Sequence, residues 1–210
     1  MNAKENKKTH DMGSGSITKL FIQLAIPAVV AQVVNLLYNI VDRIYIGHIP
    51  EVGASALTGV GLFTAILMLI NAFAMMAGAG GAPLASIALG KQDKDRAEKI
   101  MANSFTLLLI FSVILTIVFY ISAPTLLTMF GASEVTLPYA VDYARIYILG
   151  SVFVLIVMGM NPFITTQGFA KISMMTTVIG AIINIILDPI FIFAFNMGVK
   201  GAALATVLSQ

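Results

Sequence analysis

The sequence contains neither cysteine nor tryptophan, and only two of its 210 residues are histidine. Without cysteine, the chain forms no disulfide and has no thiolate to act as a nucleophile or a metal ligand. The two histidines, His10 and His48, are too few for the usual zinc sites. We therefore expect no organic cofactor, and no metal beyond sodium, which clustered oxygen atoms can hold.

Charged residues are also scarce. They make up 10% of the chain, and the net charge at pH 7 is +2. The 12 lysines and arginines are spread between apolar runs, which leaves no continuous basic surface for nucleic acid. Hydrophobic residues make up 59% of the chain, and the mean hydropathy is +0.95. We therefore expect a lipid bilayer as the solvent of this chain and no nucleic acid partner.

Five apolar stretches are long enough to cross the hydrocarbon core of a bilayer, which takes roughly 20 residues. A sixth stretch begins at Gly201 and is cut off at Gln210. The sequence therefore predicts an all-α, polytopic membrane helix bundle over residues 17–210, with five complete transmembrane helices and the start of a sixth. The predicted complete spans are Leu20–Ile46, Ala54–Ala77, Ile100–Tyr120, Tyr143–Phe163 and Met174–Phe195.

The distribution of basic residues predicts the orientation, because basic loops are retained in the cytoplasm. Nine of the 12 lysines and arginines fall on the side of the N-terminus, and the other three fall on the opposite side. Residues 1–16 lack the apolar core and cleavage site of a signal peptide, and we expect them to form a flexible cytoplasmic tail. The sequence thus predicts a multi-pass protein of the plasma membrane with its N-terminus inside.

Two acidic residues, Asp42 and Asp188, lie within predicted spans. An ionisable residue near the centre of a span costs on the order of 2.5–3.5 kcal/mol on insertion, so its presence indicates a function. Both aspartates lie past the midpoint of a span that runs from inside to outside, so we expect them at similar depths, in one cavity. The alternative for Asp42 is an interfacial ion pair with the adjacent Arg43.

Amide side chains accompany both aspartates. Gln32, Asn35 and Asn39 precede Asp42 at steps of three and four residues, which places them on one helical face. Such a stripe is prohibitive in contact with lipid, so these residues are candidates for lining a substrate cavity. In the fifth span, Asn184 lies four residues before Asp188 and shares its face.

Three prolines, Pro27, Pro162 and Pro189, interrupt predicted spans, and each frees the carbonyl oxygen four residues before it. We expect a helix kink at each of them. The carbonyl of Ile185, freed by Pro189, lies within a turn of the Asp188 carboxylate, an arrangement of oxygens that suits sodium. A kink that serves only helix packing is the alternative.

These segments resemble the multidrug and toxic compound extrusion family of secondary transporters. The resemblance extends from Ile17 onward and is carried by the following segments: Ala25-Ile26-Pro27, Val41-Asp42-Arg43, Ile46-Gly47-His48, Asn184, Asp188-Pro189, and Gly198 to Ala203 with Thr206. It implies a twelve-helix carrier of two six-helix lobes, driven by proton or sodium antiport. This chain would be the N-terminal lobe, truncated in helix six, with the C-terminal lobe as its partner.

The resemblance also implies a cation- or proton-coupling site formed by Asp42, Asn184, Asp188 and Thr206. Tyr143 and Asn161 are possible additional members, although Asn161 is expected near the cytoplasmic end of its span. The implied function is export of amphipathic, cationic drugs or toxins from a bacterial cell.

Three other classes of function fit the sequence less well. A lipid-linked oligosaccharide flippase is the nearest alternative, but it would need cationic residues in its spans to hold pyrophosphate. An inert half-carrier or accessory membrane module is another. An intramembrane hydrolase with a serine nucleophile is disfavoured, because no histidine or lysine lies in a span to act as the base. We therefore do not expect an enzyme.

The orientation can be tested in this cysteine-free lobe. We expect single cysteines in the variants Asp93→Cys and Glu134→Cys to react with a membrane-impermeant maleimide from opposite sides. In intact cells, Glu134→Cys should be labelled and Asp93→Cys protected until the membrane is opened. Labelling of Asp93→Cys in intact cells would reverse the topology.

Overall fold

The computed structural model of this chain describes residues 16–210, apart from the side chains of Lys19 and Leu20. The predicted tail therefore lies outside the described residues, except for Ser16, which precedes the first helix.

The described chain is almost entirely helical and contains no strand. The five helices predicted to span a membrane are confirmed as long and apolar enough to do so, whereas the last helix has only 10 residues. A π-helix, Ile190–Ala194, directly follows the fifth of them. The α-helices are α1 (Ile17–Gly47), α2 (Gly53–Gly90), α3 (Lys94–Met129), α4 (Leu137–Thr166), α5 (Ala170–Pro189) and α6 (Val199–Leu208).

Helices α2 and α3 are much longer than the predicted spans. At 1.5 Å per residue, the 38 residues of α2 extend over roughly 57 Å, well beyond a hydrocarbon core of about 30 Å. Hydropathy identifies only the part of a helix that lies in lipid, so the predicted spans end before the helices do. A short turn with a positive φ at Gln92 joins the two helices, and Asp93 caps α3 by accepting a hydrogen bond from Arg96 N at 3.0 Å.

Because α2 and α3 are longer than predicted, two further prolines lie inside helices. Pro83 lies in α2 and Pro124 in α3, both beyond the ends of the predicted spans. The predicted Pro27 and Pro162 lie inside α1 and α4. Pro189 ends α5, where the chain continues as the π-helix and Phe195 N donates to Ile190 O at 2.9 Å. The predicted kinks at Pro27 and Pro162 stay predictions.

Helix α4 is the centre of the bundle, because it packs against α2, α3, α5 and α6. Small residues allow the closest approaches. A Cβ atom on Gly78 of α2 would lie 2.7 Å from the carbonyl oxygen of Gly159 on α4, and one on Gly59 would lie 2.8 Å from Thr136 O. The backbones of α2 and α4 therefore touch at two levels, which is how helices gain contact in lipid.

Helix α1 lies at the edge of this bundle. It packs mainly against α5, with smaller contacts to α2 and α6. Only 6% of its most apolar window is buried, compared with 39% for α4. The position of α1 therefore depends largely on its contact with α5.

The contact between α2 and α4 yields a matched pair of substitutions. We expect Gly78→Ala to lower the apparent melting temperature of the full-length protein in detergent, because its methyl group would overlap the Gly159 backbone and cost about 1–3 kcal/mol. Gly80→Ala, two residues away, meets no atom within 4 Å and should leave the melting temperature unchanged or slightly higher. Equal melting temperatures for the two variants would contradict this packing.

Candidate functional site

The contact between α1 and α5 buries both intramembrane aspartates. Asp42 lies five residues before the end of α1, and its exposed fraction is 8%. Asp188 lies next to the last residue of α5 and is completely buried. The similar positions along two adjacent helices bring the residues to one level, as the sequence predicts.

The two carboxyl groups are close enough to share a hydrogen bond when one of them carries a proton. Asn184 is also fully buried, and its Nδ2 donates to Asp188 Oδ1 at 3.3 Å. Three buried oxygens in this cluster have no hydrogen-bond partner: Asp42 Oδ1, Asp188 Oδ2 and Asn184 Oδ1. Because an unpaired buried polar atom is costly, the cluster is suited to binding a proton or a small hard cation.

Helices α6 and α4 supply the remaining predicted members. Thr206 is buried and its hydroxyl donates to Ala202 O at 2.9 Å, which leaves its oxygen able to accept. Tyr143 is 5% exposed and lies beside both Thr206 and Asp42. Its ring packs against Phe63, with centroids 5.4 Å apart. Tyr143 thus joins the cluster from the core rather than from the membrane interface.

Asn161 is not brought to this cluster. Its Nδ2 lies 3.5 Å from Thr176 Oγ1 on α5. Thr176 precedes Asn184 by eight residues, or about 12 Å along the helix. The sequence-based expectation that Asn161 lies deeper, near the other end of α4, agrees with this position. Its possible role as a coupling residue is therefore unsupported by the geometry.

The predicted polar stripe on α1 divides into two environments. Asp42 is buried at the edge of the stripe, whereas Gln32 and Asn39 are exposed and Asn35 is partly buried. Asn39 Nδ2 donates to Asn35 O at 2.7 Å. The amides, together with Arg43, line an open groove of about 420 Å³ on the outer surface of α1. The prediction of a single polar face shared by all four residues is therefore only partly right.

The predicted alternative for Asp42, an ion pair with Arg43, is absent. Among the described residues, the only ion pair joins Lys200 Nζ to Asp142 Oδ1, at 3.4 Å. Successive residues on a helix point about 100° apart, so Asp42 turns toward α5 while Arg43 remains on the exposed face.

Tyr38 is a further member of the site that the sequence did not predict. This half-buried residue of α1 lies one turn before Asp42, interacts with the Asn39 side chain and is near both carboxyl groups. Its spacing of four residues from Asp42 is the signal that identifies it, since residues four apart share a helical face.

The π-helix after Pro189 is held by α6. A Cβ atom on Gly201 would lie 2.6 Å from the carbonyl carbon of Phe191. Two backbone bonds close the connection, from Met197 N to Phe191 O at 3.0 Å and from Gly198 N to Ile192 O at 3.3 Å. The segment next to Asp188 is therefore fixed against the helix that carries Thr206, and π-helical turns are frequent at functional sites.

Comparison with known proteins agrees with this architecture. Residues 27–190 match the family model described as MatE. The chain is 28% identical over 195 residues to the multidrug export protein MepA of Staphylococcus haemolyticus, covering 93% of this chain and 43% of that protein. It is 25% identical over 207 residues to an FAD transporter of Shewanella oneidensis, covering 97% and 45%. These relatives are bacterial, as expected for this chain.

Solved structures show the same fold. One is described as the outward-facing conformation of a multidrug resistance MATE family transporter of the MOP superfamily, and it superposes with a TM-score of 0.86 at 33% identity. The match covers 93% of this chain and 43% of that one. The chain thus spans less than half the length of the proteins it matches.

The approach of the two carboxyl groups can be measured by cross-linking. We expect the double variant Asp42→Cys with Asp188→Cys, in full-length protein with no other reactive cysteine, to be joined by a short bifunctional methanethiosulfonate. Cleavage of the connection between α4 and α5 followed by electrophoresis would detect the link. Ile44→Cys with Asp188→Cys is the control and should stay unlinked, because Ile44 is exposed and points about 160° away from Asp42 on α1. Equal yields for both pairs would contradict the site.

Proposed function

Since this chain belongs to the MatE family, the multidrug and toxic compound extrusion transporters, we propose that it is the N-terminal half of a secondary exporter. The exporter would expel amphipathic drugs or toxins in exchange for protons or sodium ions. The lipid bilayer surrounds the bundle, and the C-terminal lobe of a longer carrier would complete the substrate cavity.

One observation carries the proposal of ion coupling: the carboxyl groups of Asp42 and Asp188 meet in a buried space between two helices. Two carboxylates this close repel one another unless one holds a proton or a cation lies between them. Asn184 and Thr206 add neutral oxygens, which suits either ion. We therefore propose these four residues as the coupling site.

The location of the pair suggests how ion binding is coupled to a conformational change. Helix α1 packs mainly against α5, so the interaction of Asp42 with Asp188 directly affects the position of α1. A bound proton or cation removes repulsion at this contact and favours the arrangement in which the two helices are close. Pro27, which lies inside α1, would provide the bend that the other arrangement requires. Coupling then needs only that ion and drug differ in their affinities for the two arrangements.

The alternatives are weaker. A flippase for lipid-linked oligosaccharides would need several cations to hold pyrophosphate, whereas the exposed face of α1 carries only Arg43 within its groove. The relatives named here are transporters, which favours a non-enzymatic function. An inert half-carrier leaves the buried carboxyl pair without a purpose, although such a pair is costly in a membrane.

The charge of the cargo is a separate question. Export of cations follows from a carboxylate that is discharged by the incoming ion, and this was the expectation from the sequence. However, one relative is named as a transporter of FAD, which carries a pyrophosphate, at 25% identity. The family relationship therefore does not fix the sign of the substrate's charge.

The proposal is tested by two neutralising substitutions in the full-length carrier. We expect Asp42→Asn and Asp188→Asn each to reduce ion-driven drug efflux from membrane vesicles by at least about tenfold, because the coupling free energy is lost. Proton and sodium gradients are imposed separately, which also identifies the ion. Asp142→Asn is the control, since this partly exposed residue pairs with Lys200 away from the buried pair. Full efflux by both neutralised variants, at normal expression, would reject the site.

A further inference from the structure

Helix α1 presents a polar groove to the outside of the bundle. It has a volume of about 420 Å³ and is open rather than enclosed, because all of its lining residues belong to α1. Gln32, Asn35, Asn39 and Arg43 form its polar lining, and Leu36 and Ile40 form the apolar part. Polar atoms and apolar surface thus alternate along one side of a single helix.

This groove is not suited to contact with lipid tails. Gln32 is the middle residue of α1, which runs from Ile17 to Gly47, so the polar lining reaches from the centre of the span to its end. Apart from the hydrogen bond from Asn39 Nδ2 to Asn35 O, amide groups at that depth would have no partner in hydrocarbon. The groove must therefore face water or another polar molecule, and an arginine at its end is accessible from that side.

Arg43 is the only charged residue that lines the groove. Arg43 is exposed and forms no ion pair with any described residue. No acidic side chain lines the groove, although the adjacent Asp42, which is buried against α5, is close enough to attract the Arg43 guanidinium. Asn39 Nδ2 already donates to Asn35 O, so the Arg43 guanidinium is the main donor of the groove, and proteins use this group to bind carboxylates and phosphates.

A second cavity adjoins the first at the same arginine. It has a volume of about 360 Å³ and is lined by Ile40, Arg43, Ile44, Gly47, His48 and Leu57. Most of this lining is apolar. Arg43 therefore lies where a polar groove meets an apolar cavity, a position that suits a molecule with one anionic group attached to a hydrophobic ring system.

We propose that Arg43 binds a carboxylate or phosphate group of the exported molecule, so that the carrier selects zwitterionic and anionic amphipathic compounds over purely cationic ones. This inference rests on the proposed function, because it takes the α1 face as part of the substrate pathway. It replaces the expectation of cationic cargo, which followed from the buried aspartates. Neither aspartate lines the groove, because Asp42 is buried against α5 at its edge and Asp188 lies on α5.

The test compares two dyes that differ only in the anionic group: a rhodamine with a free carboxylate and its methyl ester. Binding of each dye to the purified full-length carrier is measured by fluorescence anisotropy. We expect the wild-type protein to bind the acid about tenfold more tightly than the ester, as is typical of a charge-assisted contact. In Arg43→Gln, the affinity for the acid should fall to that for the ester, while the affinity for the ester stays unchanged.

Two further variants separate this role from a structural one. Arg43→Lys should retain part of the preference for the acid, because it keeps the charge but not the planar donor pair. Arg145→Gln is the matched control, since Arg145 is also exposed but lies on α4 beside Tyr120, away from the groove. It should leave both affinities unchanged.

The outcomes distinguish this inference from the proposed function. Equal wild-type affinities for the two dyes, or equal weakening of both in Arg43→Gln, would overturn the role of Arg43. The second result is the one expected if Arg43 pairs instead with a lipid headgroup or with the C-terminal lobe. Ion-driven export of the dyes is measured in parallel vesicles. Acid-selective binding without export would retain the site at Arg43 and reject the exporter.

Discussion

Burial of two carboxyl groups at the contact between α1 and α5 is the constraint on which the rest of this lobe depends. In a low-dielectric interior, a pair of carboxylates is stable only with a proton or cation, or if they move apart. Asp188 is held in place from three directions, by Asn184, by Pro189 with its π-helix, and by the close approach of Gly201 to that segment. Asp42, by contrast, lies on a helix with little other packing. A change in charge at the pair is therefore relieved most easily by movement of α1.

The remaining helices provide the fixed body against which such movement occurs. Helix α4 contacts four of the other helices, and its backbone touches α2 where glycines leave no space between them. Aromatic packing of Phe63 with Tyr143 and Tyr147 joins this body to the wall of the site. Tyr143 thus belongs both to the rigid core and to the cluster. The site thus has one loosely packed side, α1, and several tightly packed sides, an arrangement that suits the proposed effect of a bound ion on the position of α1.

Much of this architecture follows from the sequence, and the exceptions have physical reasons. The number of spans and the common level of Asp42 and Asp188 could be predicted because apolar length and position in a span are local properties. The lengths of α2 and α3 could not, because a helix continues past the region that hydropathy detects. The π-helix after Pro189 depends on contact with α6, and the division of the α1 stripe depends on which side α5 covers. Both are tertiary effects. Tyr38 could have been predicted from the sequence, because its spacing of four residues places it on the same helical face as Asp42.

The adjacent residues Asp42 and Arg43 show how one helix can serve two partners of opposite charge. They differ by about 100° in direction, so one side chain is buried against α5 while the other remains at the open groove. If both faced the same space, they would neutralise each other, and neither would retain affinity for an ion or a substrate. The difference in direction prevents a direct ion pair, although the two charges still attract each other. Any movement of α1 that follows ion binding at Asp42 then displaces Arg43 as well, because the two are rigidly connected through the backbone. In the proposed exporter, the link between the ion site and the groove would therefore be mechanical and would not require contact between the ion and the exported molecule.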